Sequence, residues 1–124
     1  MNTTMQKLIF FGVFFLLTLV SAHADVSPGQ EAEVAHLIAY LENSDCNMVR
    51  NTKTYSGEEG GKHVRRKYEY FRDDISSTEE FVELSATKST MSGKPYVVHC
   101  PGEPPRNSAD WLLEELDAYR GAQP

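Results

Sequence analysis

The chain has 124 residues, of which 40% are hydrophobic, and its 18 acidic and 12 basic side chains give a net charge of −6. This acidic balance argues against nucleic acid and against anionic lipid surfaces as partners, because both attract basic proteins. The length predicts one domain with a modest hydrophobic core.

The first 24 residues have the pattern of a secretory signal peptide. Lys7 provides a positive start, residues 8–20 are apolar apart from a glycine and a threonine, and small residues mark a cleavage site after Ala24. An uncleaved membrane anchor is the alternative, but the apolar run is short for a hydrocarbon layer of roughly 30 Å. We therefore expect a periplasmic or secreted protein with no stable membrane anchor, in which residues 25–124 form a single globular domain.

Hydrophobic spacing and turn residues predict six elements in the order helix, strand, helix, helix, strand, helix. Three helices begin at a serine followed three residues later by Gln or Glu, which is the signature of a capping box, and Ser108 is predicted to cap the last one. The pair Gly60-Gly61 in the second helix indicates either close packing or a frayed start. The predicted helices cover residues 28–43, 57–71, 78–86 and 109–120, the strands cover 47–50 and 96–100, and 51–56 is a predicted loop.

Two cysteines, Cys46 and Cys100, lie at the ends of the predicted strands. In an oxidising compartment an even pair predicts one disulfide, with a zinc pair or a reactive thiol as alternatives, although neither has a CxxC neighbour. The bond would bring the two strands together as an antiparallel ribbon. Because such a ribbon is marginal alone, four amphipathic helices must supply most of the core, so the predicted fold class is α+β, small and mostly helical.

The order of short motifs resembles the YfeK-like family, which comprises small exported bacterial proteins that carry a domain of unknown function. The resemblance covers about residues 31–120, with Thr52 where family members tend to have Gly and Val64 where they often have Leu. It implies export and a single domain, and no activity or cofactor is carried over. The motifs are Val49-Arg50-Asn51, Tyr55, His63-Val64-Arg65-x-Lys67, Ser77-Thr78-x-Glu80-Phe81 and Ser92-Gly93-x-Pro95-Tyr96-x-Val98.

The sequence contains no HExxH, GxSxG or glycine-rich phosphate loop. His36, His63 and His99 are isolated from one another, and Lys67 lies one helical turn after His63, which disfavours the charged imidazolium. A small hydrolase that uses His63 would need partners assembled in three dimensions. We therefore expect a non-catalytic protein and keep the hydrolase as an alternative.

A zinc site is also considered, because Cys46, His99 and Cys100 are residue types that bind this ion. His99 and Cys100 are adjacent, and neighbouring residues of a strand point to opposite faces. We therefore expect neither a metal nor another cofactor.

The basic run Arg65-Arg66-Lys67 lies among acidic residues, so it is predicted to be a solvated helix face rather than a binding patch. Arg50 and Arg65 are expected to pair with carboxylates and to fix the helix against the strand, since the planar guanidinium suits such pairs.

The stretch 92–96, Ser-Gly-Lys-Pro-Tyr, predicts a stiffened turn that leads into the second strand. It is either a plain strand entrance or a recognition loop. The pattern S-G-x-x-Y is similar to a loop of the periplasmic C-type lysozyme inhibitors, in which the loop enters the lysozyme cleft. Those inhibitors are β-barrels, so the likeness would be one of site and not of fold. Inhibition of a cell-wall hydrolase such as lysozyme is therefore an alternative function.

The expected function is that of a binding module for an envelope protein of unknown identity. If the two strands pair antiparallel, the loop after the first and the loop before the second lie at the same end of the ribbon. The candidate binding residues on this surface are Arg50, Asn51, Tyr55, His63, Arg65, Lys67, Ser92, Lys94 and Tyr96.

Overall fold

A computed structural model describes residues 24–124, so the predicted signal peptide lies outside the described residues except for Ala24. The predicted α+β class and all six predicted elements are confirmed, and two short strands are added to them. The helices are α1 (Pro28–Glu42), α2 (Gly57–Phe71), α3 (Thr78–Ser85) and α4 (Ser108–Ala122), with a 3₁₀ turn at Arg72–Asp74. The strands are β1 (Asn47–Arg50), β2 (Lys53–Ser56), β3 (Val97–His99) and β4 (Arg106–Asn107).

The four strands form one antiparallel sheet in the order β2-β1-β3-β4. The predicted pairing of β1 with β3 is found, with Val49 opposite Val97. The prediction of a loop at 51–56 was wrong, because β2 lies there and pairs with β1. Asn51 and Thr52 connect the two strands with φ values of 48° and 70°. Two consecutive positive φ angles are typical of the turn that matches the twist of a tight hairpin.

The starts of the helices follow the predicted caps in three of four cases. Ser27 and Ser56 both form complete capping boxes, and the hydroxyl of Ser77 accepts a hydrogen bond from the backbone of Glu80. The predicted cap of α4 was wrong by one position, because Asn107 is the capping residue and makes no side-chain cap bond. Ser108 is the first helical residue, and its hydroxyl is buried.

The hydrophobic core lies between the sheet and the four helices. Met48 and Val98 are direct cross-strand partners and are fully buried, which places one face of the sheet against the helices. Among residues 24–124, no helix combines the length and the hydropathy needed to cross a bilayer. The largest fully buried apolar side chains are Phe81, Leu37, Leu41, Met48, Ile75, Leu112 and Leu116.

Glycines of α2 allow this helix to pack very closely against α1 and β1. A Cβ atom added at Gly57 would lie 2.4 Å from the carbonyl oxygen of Leu41, and one added at Gly60 would lie 3.1 Å from the Cβ of Met48. The glycines therefore reflect close packing, which was one of the two interpretations of the sequence. The other, a frayed start, does not fit the capping box at the beginning of α2.

The predicted disulfide between Cys46 and Cys100 is confirmed, with the two Cα atoms 4.1 Å apart. It joins the residue before β1 to the residue after β3. Both cysteines are therefore used in this bond, and neither is free to bind zinc. The disulfide lies at one end of the β1–β3 pair, and the candidate loops lie at the other.

Candidate functional site

The hairpin turn after β1 and the loop before β3 meet at one end of the sheet, as their antiparallel pairing requires. The hydroxyl of Ser92 donates to Oδ1 of Asn51 at 2.5 Å, and Nδ2 of Asn51 donates to the hydroxyl of Ser89 at 3.2 Å. Ser89 is buried, so it anchors the turn to the loop. We call this paired surface the loop end.

The Ser92–Tyr96 stretch is folded into a closed turn. The backbone amide of Gly93 donates to the carbonyl of Ser89 at 2.9 Å, and the amide of Ser89 donates to the carbonyl of Lys94 at 3.0 Å. Gly93 has a φ of 72°, which only glycine adopts without strain. The side chain of Lys94 is exposed and has no ion pair or hydrogen-bond partner within residues 24–124.

Four predicted residues come together behind the loop end. Arg50 Nη1 lies 2.7 Å from His63 Nδ1, and His63 Nε2 lies 2.9 Å from the hydroxyl oxygen of Tyr96. Lys67 Nζ lies 3.3 Å from that same oxygen and 2.7 Å from the carbonyl oxygen of Lys88. We call Arg50, His63, Lys67 and Tyr96 the donor cluster.

The hydrogen-bond directions in the donor cluster follow from the chemistry of its members. A guanidinium and an ammonium can only donate, so His63 Nδ1 must accept from Arg50, and the oxygen of Tyr96 must accept from Lys67. His63 is then neutral with its proton on Nε2, which donates to Tyr96. With both lone pairs of its oxygen used, the hydroxyl of Tyr96 still has its own hydrogen to donate.

The pKa values of the donor cluster reflect burial among cations. Burial, followed by the charges of Arg50, Lys67 and Arg66, lowers the pKa of His63 to about 4. The pKa of Lys67 is lowered, first by burial and then by Arg50 and Lys88. Burial raises the pKa of the Tyr96 hydroxyl. In the described part of the chain, no carboxylate lies within hydrogen-bonding distance of any of the four.

Two grooves adjoin the donor cluster. The first, here called the α2 groove, has a volume of about 320 Å³. The second has a volume of about 190 Å³ and contains Arg50, whose guanidinium lies 4.1 Å from the centre of the Tyr55 ring. Arg66 lines both grooves. The α2 groove is lined by His63, Arg66, Lys67, Tyr70, Phe71 and Thr90.

The structure separates one predicted residue from the rest. Arg65 pairs with Glu42 of α1 at 3.0 Å, so the predicted carboxylate pairing is correct, but it ties helix to helix. The same prediction was wrong for Arg50, which contacts His63 and Tyr55 instead of a carboxylate. Arg66 was not predicted as a site residue, and its only sequence signal was its place in the basic run. The structure brings together Arg50, Asn51, Tyr55, His63, Lys67, Ser92 and Tyr96, with Lys94 on the outside of the loop.

A larger groove, of about 680 Å³, lies beside the disulfide and includes no predicted binding residue. Its wall contains Tyr40 and Trp111, whose ring centres are 4.6 Å apart. Glu103, Glu114 and Glu115 line this groove with one arginine, Arg106, so it is acidic, and burial and then these carboxylates raise the pKa of Tyr40. The two ends of the domain therefore differ in charge.

Comparison with known proteins gives a family and no activity. Residues 28–120 match the model of DUF5329, which is described as a family of unknown function. The chain is 37% identical over 93 residues to the uncharacterized protein YfeK of Salmonella typhimurium, across 74% of this chain and 77% of that one. No solved structure matches the chain.

Proposed function

The chain belongs to the DUF5329 family and to the YfeK-like proteins that its motifs resemble, and from this premise we propose that it is a non-catalytic binding module for a protein of the cell envelope. One observation carries the proposal. The hairpin turn and the Ser92–Tyr96 loop are joined through Asn51 and Ser92, so two separate segments form one surface. The donor cluster adjoins this surface, because Arg50 precedes Asn51 in the chain and Tyr96 ends the loop.

The exposed side chains around the loop end are of the types that dominate protein interfaces. Met91 is 99% exposed and Tyr70 is 81% exposed, and they are the large hydrophobic side chains left most open to solvent within residues 24–124. Tyr70 lines the α2 groove with Thr90, the residue before Met91. Tyr, Met and Arg are enriched in protein interfaces, where they supply contact area. A small number of interface residues usually carries most of the binding energy.

Location in the periplasm, or outside the cell, is part of the proposal. The pattern of residues 1–24 supports export. The Cys46–Cys100 disulfide also supports it, because such bonds persist in oxidising compartments and are rare in the cytosol.

The geometry of His63 favours binding over hydrolysis. Both ring nitrogens are engaged, one by Arg50 and the other by Tyr96, and among residues 24–124 neither hydrogen-bonds to a serine, a cysteine or a carboxylate. A pKa of about 4 also makes the imidazole a weak base at neutral pH.

The test is photo-crosslinking in the exported protein. A photoreactive residue at Lys94 is compared with one at Glu115, which lies in the acidic groove at the other side of the domain. We expect a protein to be trapped from Lys94 and not from Glu115, with mass spectrometry to identify it. Capture of the same proteins from both positions, or of none from Lys94, would contradict the proposal.

Inhibition of a cell-wall hydrolase is the second candidate. The ammonium of Lys94 is exposed at the loop end, where it could pair with the catalytic carboxylates of the hydrolase. The hydroxyl of Ser92 is directed at Asn51, so Lys94 would carry more of this interaction. We expect the purified protein to slow lysis of cells by lysozyme and Lys94→Ala to lose this effect, with Arg106→Ala, which removes a cation from the groove beside the disulfide, as the control. Equal lysis rates with and without the protein would exclude this candidate for lysozyme.

A further inference from the structure

The α2 groove concentrates positive charge on a chain that is acidic overall. Lys67 and Arg66 line it, and Arg50 lies behind it through His63. Within the described chain, Arg66 has no ion pair, whereas the neighbouring Arg65 pairs with Glu42. Arg66 is exposed, whereas Lys67 is half-buried and its pKa is lowered by burial and by nearby cations, so an anion at this place would be stabilised.

The donor cluster also has more hydrogens to donate than it has acceptors. Arg50 Nε is buried and without a hydrogen-bond partner in the described residues. The oxygen of Tyr96 accepts from His63 and Lys67, and its own hydrogen has no acceptor among residues 24–124. Neither Arg50 nor Tyr96 lines the α2 groove, so these donors add positive potential behind it, and the donors that can reach a ligand are those of Arg66 and Lys67.

The shape of the α2 groove restricts that ligand. A volume of about 320 Å³ is at the lower limit for small-molecule pockets, and it fits one or two side chains of a peptide. Tyr70 and Phe71 provide an apolar wall, and their rings meet edge to face with centres 4.8 Å apart. Arg66 and Lys67 lie one helical turn before Tyr70 and Phe71 on the same helix, so the groove suits an acidic group that is adjacent to an apolar one.

We propose that the α2 groove binds a protein segment in which an Asp or Glu carboxylate, held by Arg66 and Lys67, lies next to an aromatic or aliphatic side chain that packs on Tyr70. A carboxylate offers two oxygens in a plane, which matches the guanidinium fork of Arg66. This inference rests on the proposed function as a binding module and specifies what the module recognises.

The test uses synthetic peptides and amide resonances of the exported, disulfide-bonded protein. N-acetylated and C-amidated Gly-Asp-Phe is the probe, and the same peptide with Asn in place of Asp is its uncharged control. We expect the Asp peptide to shift the amide resonances of Lys67, Tyr70 and Thr90 and to bind roughly tenfold more tightly than the Asn peptide, which is the size of effect expected for one hydrogen bond to a charged group. Higher salt should weaken only the Asp peptide.

Arg66→Gln is the test variant, and Arg65→Gln is the matched control on the same helix. The first should reduce affinity for the Asp peptide roughly tenfold, and the second should leave it unchanged. Equal binding of the two peptides, or equal effects of the two variants, would overturn the inference. So would a response to inorganic phosphate or to phosphatidylglycerol vesicles with none to the Asp peptide.

Crosslinking separates failure of this inference from failure of the proposed function. If Lys94 traps a partner equally well in the wild type and in Arg66→Gln, the binding module stands and the α2 groove does not hold the partner. If Lys94 traps nothing and the Asp peptide still binds, the α2 groove does bind acidic peptides, but the proposed function as a binding module for an envelope protein is contradicted. Reduced capture in Arg66→Gln and normal capture in Arg65→Gln would support both the binding module and the role of the α2 groove in holding its partner.

Discussion

Arg50 donates a hydrogen bond to Nδ1 of His63 over 2.7 Å and thereby joins β1 to the middle of α2. Burial of the ring, and then the charge of Arg50, lower the pKa of His63, so the histidine is neutral and its other nitrogen is the donor to Tyr96. One sheet residue thus helps to set the protonation of a helix residue and, through it, the hydrogen bonding of the residue that leads into β3.

The first prediction concerns acid sensitivity. The folded pKa of His63 is about 4, below its ordinary value of 6.5, so the unfolded chain binds more protons than the folded one between these values. The resulting stability is complete above about pH 6.5 and is lost as the pH falls toward 4. After a discount for partial exposure, we expect a loss of about 1–2 kcal/mol from this group, measured by urea unfolding.

His63→Gln isolates that effect from the carboxylates that titrate in the same range. The variant should lose less stability than the wild type between pH 7 and pH 4, and the two should run parallel from pH 7 to pH 9. Parallel curves over the whole range would show that the histidine is not held neutral by its surroundings.

Thr52→Gly should stabilise the protein by about 1 kcal/mol. Thr52 is β-branched and has a φ of 70°, a conformation that costs an L-residue about 1–2 kcal/mol. Glycine avoids this strain, and the extra backbone entropy that a glycine loses on folding offsets only part of the gain. Thermal unfolding is the measurement. Gly93→Ala places a side chain at a similar φ of 72° and should change the midpoint in the opposite direction.

Removal of the disulfide should reduce the free energy of unfolding by about 4 kcal/mol, because the Cys46–Cys100 bond closes a long loop that restricts the unfolded chain. The double variant Cys46→Ala/Cys100→Ala is compared with the wild type in urea. Added reductant should lower the unfolding midpoint of the wild type and leave that of the variant unchanged. A variant as stable as the wild type would mean that the bond adds nothing to the helical core.

Gly57→Ala should destabilise the protein by about 2–3 kcal/mol. The new Cβ would lie 2.4 Å from the carbonyl oxygen of Leu41, so α1 and α2 would have to separate. Gly29→Ala is the matched control in α1, where a Cβ meets nothing within 4 Å and helix propensity predicts a gain of up to about 1 kcal/mol. A similar change in both variants would show that helix propensity, and not contact, governs these positions.

Much of the fold was predictable because local signals agree with tertiary structure. Helix α2 begins at Gly57 and ends at Phe71 as predicted, since the Ser56 capping box and the apolar spacing indicate the same helix. Strand β2 was missed because its turn has Thr52 where a glycine would have marked a hairpin. Strand β4 has only two residues, which is too short for any periodicity to show.

The candidate site was predictable in its location but not in its partners. Antiparallel pairing of β1 and β3 brings Asn51 and Ser92 together, and that follows from topology. The contact of Arg50 with His63 does not follow from topology or from charge, because charge alone favours a carboxylate as the partner of each arginine. The choice depends on which side chains the packing of α2 leaves within reach, and sequence spacing alone does not contain that information.

The close packing of the α2 glycines has a consequence for the thermodynamics of recognition. The back of α2 is held closely against Leu41 and Met48 at Gly57 and Gly60, so Arg66 and Tyr70 on its outer side are presented from a tightly packed helix. A ligand that docks there would order side chains but no main chain, which keeps the entropic penalty of association small. Gly57→Ala should therefore weaken such a complex as well as the fold, because Arg66 and Tyr70 lie on the same helix as Gly57.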